Sequence, residues 1–541
     1  MNQPNLGMRS ARTAASAIDV LEREIFRYTA ESITQELEIN ITRTAYSPLI
    51  QESRDYCVAL MTPDFRPYMH SEASIPIFST DMGEPVRDAV ETIGAENLEA
   101  GDVFVYNYRT GQHLNNVTMA MPLFHGEKLT GYLALRSHWA DVGGLVPGGQ
   151  SMNARSILHE GTRYRGLRLM RGGKLVSEVM ATIQANTWQI EAVTGDVMAQ
   201  LGACVLGGQR WQERVVSRWT ADEVQALTIA HLAASEEYSR QAIRALPDGT
   251  YISRREWTLP INETEVKWDL ELKITVDGDR MICDLSGMPP QSELPINGGS
   301  IGAAMAAIRL GYRYTVGGNA PVDAGFFAPL EFIIPDGTIL SASNETAMGF
   351  WNMVIGLTID MFIMAIGDKA PELVPASHNG ALNAASIVGK NSDGSLWRFA
   401  EAIMGGCGAE KDADGDGPYQ NLFIANMKAL PLEMTESRYP VRMHSLWLER
   451  SAGGTGLHRG GPACARIFEL LDEATCTSYP QADAPAPGLM GGEPGKPGAV
   501  YIKLPNASEW IVPDVTHTLP AGTLIRQVGS GGGGWGTPTN V

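Results

Sequence analysis

Residues 111–144 read GQHLNNVTMAMPLFHGEKLTGYLALRSHWADVGG, and this stretch decides the fold of the N-terminal half. Val117–Phe124 and Leu129–Arg136 are apolar and rich in strand-forming residues, and His125–Lys128 between them has the composition of a tight turn. The pattern predicts a β-hairpin in which Val117 pairs with Arg136 and Asn115 lies opposite His138. Because side chains alternate between the two faces of a strand, we expect His113, Asn115 and His138 on one face, roughly 5–8 Å apart.

Two histidines at the open end of one hairpin point to a metal site. Their imidazoles can close on a cation with a modest adjustment, and Asn116 and Asp141 stand beside them in the sequence as oxygen donors. The alternative is that His113 and His138 are two unrelated surface or core histidines. Spacing alone leaves both interpretations open.

Length and charge limit the class of protein. A chain of 541 residues predicts two to four domains of the usual size of about 100–200 residues each. The formal net charge of −19 argues against nucleic acid or an anionic membrane as the main partner, because phosphate binding needs clustered Lys and Arg. An acidic net charge by itself mostly indicates solubility.

Cysteine usage and the N-terminus predict a cytoplasmic protein. The six cysteines form no CxxC pair, which suits a reducing compartment and argues against a thiolate zinc site or a disulfide framework. The first residues lack the apolar run of a secretory signal. The segment nearest to a membrane span, Met348–Ile366, carries Asn352, Thr358 and Asp360, so we expect it to be a buried helix.

The order of elements predicts a mixed α/β (α+β) chain. After a flexible tail at 1–17, apolar residues at helical spacing predict an amphipathic helix over Ile18–Arg43, ended by Tyr46-Ser47-Pro48. We expect an N-terminal metal-site domain at 18–248, a middle α/β region at 249–400, and a β-rich region of glycine loops at 401–541. Further predicted strands are Cys57–Met61, Val103–Tyr106, Lys267–Val276 and Asp279–Leu285; further predicted helices are Gly195–Leu206, Ala221–Ala245, Gly298–Leu310 and Gly349–Ile366.

Several segments resemble nucleotide- or calcium-binding motifs, but the residues around them do not fit those motifs. Gly529–Gly534 satisfies G-x-G-x-x-G as a string, but it lies too close to the C-terminus for the required helix to follow. Gly495-Lys496 lacks the other P-loop positions, and Asp412–Gly417 lacks the EF-hand spacing and its terminal Glu. We therefore expect no nucleotide site in this chain. Cys407 lies in a glycine loop, where a structural thiol and a nucleophile are both open alternatives.

Motifs in a fixed order over some 500 residues carry a family resemblance. The chain resembles the hydantoinase B subunits, which include the corresponding subunits of ATP-dependent hydantoinases, oxoprolinases, caprolactamase and acetone or acetophenone carboxylases. The matching segments are Ser47–Asp55 (SPLIQESRD), Asn107-Tyr108, Gly111–Asn116, His138–Gly144 (HWADVGG), His159-Glu160-Gly161, Gly195-Asp196, Ala199-Gln200, Asp284–Gly287, Pro295–Asn297, Gly405–Ala409, Ser451–Gly461 and Gly531–Pro538.

The resemblance implies a metal site and a division of labour between two subunits. The ligands would be Asp55, His113, Asn116 and His138, and zinc or manganese suits this mixed nitrogen and oxygen set. A partner subunit of the hydantoinase A type, an actin-like ATPase that binds ATP and Mg²⁺, would phosphorylate the substrate's carbonyl oxygen in a hetero-oligomer such as (αβ)₂. This subunit would then hydrolyse the cyclic amide, with His138 or Asp141 orienting water or accepting its proton.

Two departures from the family pattern concern the ligands. Asn116 stands where the family usually has Asp, and an amide oxygen brings no negative charge, so a weaker or different metal is expected. Trp139 stands where the family has a second histidine, which puts the fourth ligand in doubt. Two alternatives to a cyclic-amide hydrolase stay open: a subunit of an ATP-dependent ketone carboxylase, and a non-catalytic structural partner.

Overall fold

The computed structural model describes residues 19–108, 112–261, 264–316, 322–380, 382–478, 485–513 and 516–538. The predicted tail at 1–17 and Gly111 lie outside these residues. Within them the chain forms helices and four β-sheets, so the predicted mixed α/β fold is confirmed. The helices are α1 Val20–Thr44, α2 Pro48–Gln51, α3 Pro76–Thr80, α4 Gly83–Ile93, α5 Ser177–Ala185, α6 Ile190–Trp211, α7 Ala221–Arg244, α8 Ile301–Val316, α9 Asn352–Lys369 and α10 Leu432–Arg438.

The strands follow in chain order. They are β1 Tyr56–Met61, β2 Pro67–His70, β3 Val103–Tyr106, β4 Asn116–His125, β5 Lys128–His138, β6 Arg165–Arg171, β7 Lys174–Leu175, β8 Gly249–Ile261, β9 Thr264–Asp277, β10 Arg280–Asp284, β11 Leu330–Ile333, β12 Ala384–Lys390, β13 Leu396–Ala402, β14 Val441–Glu449, β15 Ala463–Leu470, β16 Ala474–Ser478, β17 Ala499–Lys503, β18 Thr516–Leu519 and β19 Leu524–Val528.

The first helix begins and covers the core as its sequence predicts. Asp19 caps it by accepting a hydrogen bond from the Leu21 backbone N–H at 3.0 Å, which satisfies one of the donors left open at a helix start. One face of α1 is buried against α6 and β1, including Phe26, Ile33 and Leu37. The predicted helices of the N-terminal half, Ile18–Arg43, Gly195–Leu206 and Ala221–Ala245, are therefore confirmed, with α6 longer than expected at both ends.

The histidine hairpin forms the centre of a seven-stranded antiparallel sheet. Its order is β2-β1-β5-β4-β3-β6-β7, so β4 and β5 are flanked on both sides. Helix α6 packs on this pair of strands. The apolar strand residues are almost entirely buried, as in a central pair covered on both faces. The hairpin is thus a rigid support for the residues at its open end.

The predicted register of this hairpin is wrong by one residue at its open end. Near the turn His125 pairs with Lys128, as predicted, but a β-bulge at Thr130 shifts the ladder, so Val117 pairs with Ser137 and Asn116 with His138. Thr130 is the extra residue, and its hydroxyl donates to the Leu123 carbonyl at 2.9 Å. Because a one-residue shift exchanges the faces of a strand, Asn116 takes the position predicted for Asn115.

The middle of the chain builds a second sheet beside a buried helix. Strands β8 to β11 form a four-stranded sheet in the order β11-β10-β9-β8, and the predicted hairpin around Asp277-Gly278 joins β9 to β10. Helix α9 is buried along nearly its whole length, as expected for Met348–Ile366. One helical stretch in the described residues, Ile190–Val216, is long and apolar enough to cross a membrane, and half of it is buried inside the protein.

The C-terminal part is β-rich, and glycine loops connect its strands. Two further four-stranded sheets have the orders β13-β12-β16-β18 and β14-β15-β19-β17. A second hydrophobic core lies between them and includes Ile387, Phe399, Phe468 and Ile525. The predicted domain limits at 248 and 400 stay a prediction. Residues of the β12–β13 hairpin line the same cavity as the histidines of the first sheet.

Candidate functional site

His113 and His138 meet at the open end of the hairpin. His138 is the last residue of β5, and His113 precedes β4 in a short turn whose Asn116 N–H donates to the His113 carbonyl at 3.2 Å. The two ring centroids are 4.8 Å apart. The structure therefore brings the two histidines together as the sequence predicts, and closer than the predicted 5–8 Å.

Asp55 reaches the site from the turn before β1. Asp196 in α6 accepts the backbone N–H groups of Tyr46 and Ser47 at 2.8 and 2.9 Å, which fixes the start of the SPLIQESRD segment. Arg54 takes a left-handed backbone conformation with φ of 58°, and this turns the chain into β1. The Asp55 carbonyl then accepts the His138 N–H at 3.0 Å, so carboxylate and imidazole enter the site from neighbouring strands.

Four potential ligand atoms, one of them the amide oxygen of Asn116, lie close together. His113 Nε2 lies 3.2 Å and His138 Nδ1 3.1 Å from Asn116 Oδ1, and Asp55 Oδ2 lies 3.7 Å from His138 Nδ1. The Asn116 amide nitrogen donates to Gln112 Oε1 at 2.5 Å, which directs the oxygen toward the histidines. The structure thus assembles all four residues that the family resemblance implies as ligands. Asn115 points elsewhere, because its amide donates to the Trp139 carbonyl at 3.0 Å.

Burial keeps this cluster close to neutral. Desolvation lowers the pKa of His113 to about 3 and, together with the charge of neighbouring groups, lowers the pKa of His138 well below its ordinary value. Desolvation also raises the pKa of the Asp55 carboxyl to about 7. A neutral imidazole has a free lone pair on one nitrogen, the form in which histidine binds a metal.

The donor set fits a divalent cation. Ligand atoms at about 2.0–2.2 Å from one tetrahedral zinc lie roughly 3.3–3.5 Å from one another, and the observed donor separations of 3.1, 3.2 and 3.7 Å bracket that spacing. Among the described residues no group of three His, Cys, Asp or Glu side chains is arranged to hold a metal ion by itself, so this donor set depends on the Asn116 amide oxygen as well. His113 Nδ1 is buried and has no hydrogen-bond partner among the described residues.

Trp139 faces away from the histidine cluster. It follows His138 and so belongs to the opposite side, where its indole N–H donates to Gln200 Oε1 at 2.8 Å and its ring packs on Tyr164. Gln200 also accepts the Ser137 hydroxyl at 2.8 Å and donates to two strand carbonyls. The Trp139 side chain therefore anchors the end of β5 to helix α6.

The structure gives Asp141 a different environment from the one predicted. Its carboxylate accepts four hydrogen bonds, from the N–H groups of Gly143, Gly148 and Trp188 and from the Thr187 hydroxyl, at 2.7–2.8 Å. Asp141 is fully buried and is absent from the described residues that line the cavity at the histidines. These contacts shape the loop after His138 and disfavour a role as proton acceptor, which stays a prediction.

A cavity of about 90 Å³ opens at the histidine cluster. Asp55, His113 and His138 form one wall, and the opposite wall comes from α9, from the β12–β13 hairpin and from residues 423–427. Trp351 lies 5.8 Å from the His113 ring, centroid to centroid. Most of the remaining lining is apolar, so a ligand here would lie in a largely dry site; this lining includes Leu49, Leu382, Ala384, Ala385, Ala400, Phe423, Ile424 and Met427.

Sequence reasoning missed the residues that support the site from a distance. Asp196 and Gln200 stand out in the sequence only as parts of family motifs, and Arg398 and Gln150 do not stand out at all. Arg398 lines the cavity and donates to Ser386 Oγ and Gln150 Oε1, both at 3.0 Å. Nothing in the local sequence separates these polar residues from surface ones, because the elements that bring them together lie some 250 residues apart.

Cys407 has the properties of a structural thiol. Burial and the nearby acidic groups Asp416 and Glu410 raise its pKa to about 12, so it stays protonated near neutral pH. The other five cysteines are buried and free. This environment disfavours the nucleophile alternative, since only a thiolate attacks efficiently.

Comparisons with known proteins agree with the motifs. The model of the Hydantoinase B/oxoprolinase family matches residues 19–538. The chain is 27% identical over 555 residues to the B-type component of a putative D-/L-hydantoinase of Pseudomonas sp. (strain NS671), and the match covers 98% of this chain and 92% of that one.

Two solved structures share the fold. One is the ATP-dependent caprolactamase from Pseudomonas jessenii, with a TM-score of 0.88, 22% identity, and coverage of 96% of this chain and 92% of that chain. The other is acetone carboxylase in a nucleotide-free state, with a TM-score of 0.86, 15% identity, and coverage of 98% and 78%. At these identities the two structures show the fold alone.

Proposed function

Because the chain belongs to the hydantoinase B/oxoprolinase family, we propose that it is the hydrolytic subunit of a hetero-oligomeric, ATP-dependent enzyme that opens a cyclic amide. The substrate would be a hydantoin, lactam or imide whose carbonyl oxygen has been phosphorylated by a hydantoinase A-type partner. The observation that carries this proposal is the convergence of two neutral imidazoles, a carboxylate and an amide oxygen at one cavity.

The chemistry explains why two activities are needed. An amide carbonyl is a poor electrophile because the nitrogen lone pair is delocalised into it, and phosphorylation of its oxygen removes that protection. Asp55, His113 and His138 would hold a divalent cation, with Asn116 as the oxygen ligand between them. When bound, zinc or manganese would lower the pKa of water toward neutral and make it a nucleophile.

The residues of the site supply proton transfer and orientation. Burial raises the pKa of the Asp55 carboxyl to about 7 in the metal-free site, so cation binding near neutral pH would displace its proton. His138 would orient the attacking water or accept its proton. The Asn116 amide, oriented by Gln112, keeps the donor atoms of the two histidines at a fixed separation. The apolar walls of the cavity exclude bulk water, which favours attack by one positioned molecule over random hydrolysis.

Reconstitution with the partner subunit tests the proposal. The complex should consume ATP in a manner that depends on a cyclic amide, and the product should be the ring-opened acid. The screen covers hydantoins, lactams, imides and aryl ketones, with ATP consumption as the readout. The purified chain alone should neither bind nor hydrolyse ATP, and robust ATPase activity in this chain would contradict the division of labour.

The second candidate is a subunit of an ATP-dependent ketone carboxylase. The fold similarity to acetone carboxylase, with a TM-score of 0.86 over 98% of this chain, is the observation that favours it. The two functions differ in product, so ATP-dependent incorporation of labelled bicarbonate into a ketone distinguishes them. Incorporation without ring opening would favour the carboxylase.

The third alternative is a non-catalytic structural partner in which Asn116 marks a decayed site. Metal analysis separates this alternative from an enzyme before any substrate is known. A stoichiometric divalent ion that is lost on His113→Ala or His138→Ala supports the catalytic proposal. Absence of metal from protein purified without chelators supports decay.

A further inference from the structure

Arg398 stands across the cavity from the histidine cluster. It belongs to β13, the second strand of the hairpin that faces the first sheet, and it lines the same cavity as Asp55, His113 and His138. Among the described residues that line this cavity it is the only Arg or Lys.

Contacts from strand β12 and from the loop after His138 hold the guanidinium in place. Arg398 Nε donates to Ser386 Oγ and Nη2 donates to Gln150 Oε1, both at 3.0 Å. Gly148 packs directly on the group, because a Cβ at that position would stand 2.4 Å from Arg398 Nε. Gly148 is in turn fixed by its hydrogen bond to Asp141 Oδ2 at 2.7 Å, with φ of 82°. The loop that begins after His138 therefore contacts the Arg398 guanidinium through Gly148 and Gln150, and so links the positions of the histidine and the arginine.

We propose that Arg398 binds the phosphoryl oxyanion of the activated substrate and so orients its carbonyl carbon toward the histidine cluster. A guanidinium is always charged and carries five N–H donors, two of which bond Ser386 and Gln150, and such a charged donor group suits a phosphoryl oxyanion. The wall around Arg398 is largely apolar, and its other polar residues include Glu401, whose carboxylate pairs with Arg466. With the phosphoryl group held at Arg398, water from the side of the histidines would add to the phosphorylated carbon, and the ring C–N bond would break as its nitrogen takes up a proton. A second water would then hydrolyse the remaining acyl phosphate to the acid and inorganic phosphate. The assignment rests on the proposed function, which supplies the phosphorylated substrate.

The assignment also gives Asp141 a positioning role. Its hydrogen bonds to Gly143 and Gly148 fix the loop that presses on the guanidinium. Asp141→Asn would therefore act through the arginine's position and would alter substrate affinity more than the proton-transfer step. Gly148→Ala is the direct intervention, since its methyl group would displace the guanidinium.

The first measurement is inorganic phosphate binding to the purified, chelator-treated full-length chain, by isothermal titration. Arg398→Gln should weaken phosphate binding by about tenfold or more, the loss expected for a charge-assisted hydrogen-bonded pair. Arg398→Lys keeps the positive charge but lacks the planar guanidinium, so its phosphate affinity should lie between those of the wild type and Arg398→Gln. Arg254→Gln, which removes an exposed arginine of β8 paired with Glu271, is the matched charge control and should bind phosphate like the wild type.

The second measurement separates a binding role from general damage to the site. Because the Arg398 charge opposes positive charge at the histidines, Arg398→Gln should bind Mn²⁺ severalfold more tightly than the wild type while it binds phosphate less well. A misfolded or merely loosened site would lose both affinities, and this outcome would overturn the assignment. Equal phosphate affinity in the wild type and Arg398→Gln, or no phosphate binding by either, would overturn it as well.

Acetate and bicarbonate identify the source of the oxyanion. If Arg398 recognised a substrate carboxylate or bicarbonate instead, those anions would compete better than phosphate, and the phosphoryl assignment would be wrong. In the reconstituted complex Arg398→Gln should raise the KM for the cyclic amide more than it lowers kcat. Failure of the complex to open any cyclic amide would contradict the proposed function, whereas the phosphate titration would still report on Arg398.

Discussion

The histidine cluster and the C-terminal glycine network are both buried, but they satisfy their polar groups in opposite ways. The glycine network consists of Gly406, Gly453, Gly460, Gly461, Gly531 and Gly532, and its chains approach so closely that a Cβ at any of them would lie 1.8–2.0 Å from a backbone oxygen. The N–H groups of Gly406, Gly460, Gly461, Gly531 and Gly532 donate to backbone carbonyls, such as Gly461 to Cys407 at 2.8 Å. The histidine cluster leaves His113 Nδ1 without a hydrogen-bond partner among the described residues.

Because of this difference, we expect substitutions in the two regions to have different effects. The glycine network offers no side chains, so its substitution should affect stability first and activity only through unfolding. The histidine cluster keeps buried polar atoms incompletely paired, which costs stability and leaves lone pairs for a ligand. Substitutions there should affect activity while stability changes little.

The largest effect is expected in the glycine network. Gly532→Ala would place a methyl group 1.8 Å from the Cys407 carbonyl oxygen, with backbone on both sides and no flexible side chain to move. We expect the free energy of unfolding to fall by about 3 kcal/mol or more, measured by urea denaturation. Gly202→Ala is the matched control, because nothing lies within 4 Å of its added Cβ in helix α6, and it should stabilise the chain by up to about 1 kcal/mol. If Gly532→Ala left the free energy of unfolding unchanged, the glycine network would not have the role in stability that we assign to it.

The histidines should show the reverse pattern. His113→Ala and His138→Ala should each lower the amide-opening activity of the reconstituted complex by about 100-fold or more, because each removes a metal ligand or proton carrier. Their free energy of unfolding should stay within roughly 1 kcal/mol of wild type, since an incompletely paired buried group is removed. His125→Ala, at the other end of the same hairpin, should leave activity unchanged. Equal losses for His125 and His138 would remove the histidine cluster from the mechanism.

The buried carboxyl of Glu160, another incompletely paired polar group, should make the stability of the chain depend on pH. Its Oε1 accepts hydrogen bonds from the Met348 and Gly349 N–H groups, both at 2.7 Å. Its Oε2 is buried and has no hydrogen-bond partner among the described residues. Burial raises the pKa of the Glu160 carboxyl from 4.5 to about 8. The raised pKa favours folding at low pH, so this contribution is lost as pH rises from about 4.5 to about 8, by up to about 1.4 kcal/mol per unit. Glu160→Gln cannot ionise and should gain stability relative to wild type over that window. A difference that stays constant from pH 5 to pH 8 would show that Glu160 does not titrate there.

The smallest effect concerns the charge of the ligand set. Asn116→Asp would place a carboxylate between the two histidines and should tighten binding of Mn²⁺ or Zn²⁺ severalfold, as measured by titration of chelator-treated protein. Asn115→Asp is the control, because Asn115 donates to the Trp139 carbonyl and does not face the histidines. Tightening by Asn115→Asp but not by Asn116→Asp would mean that the ladder has the register that the sequence pattern predicts.

The sequence predicted elements well and the geometry of the site in part. Hydrophobic periodicity placed α1, α6, α7 and α9, and the alternation of strands placed the hairpin, because these signals are local. The proximity of His113 and His138 was predicted from the hairpin alone, whereas the place of Asp55 in the same site was predicted only from the family resemblance. The one-residue error in the predicted register came from the β-bulge at Thr130. A run of apolar residues carries no signal from which the position of a bulge can be predicted.

By itself the sequence predicted that His113 and His138 come together at one end of a hairpin, and its family motifs added Asp55 and Asn116 as candidate ligands. Only the tertiary structure decided that Asn116 and not Asn115 faces the histidines, that Asp141 supports a loop, and that Arg398 closes the cavity. The physical reason is range. Periodicity and turn composition act over a few residues, while a bulge, a buried carboxylate and a cation brought in from a distant hairpin are selected by packing between elements that lie far apart in the chain.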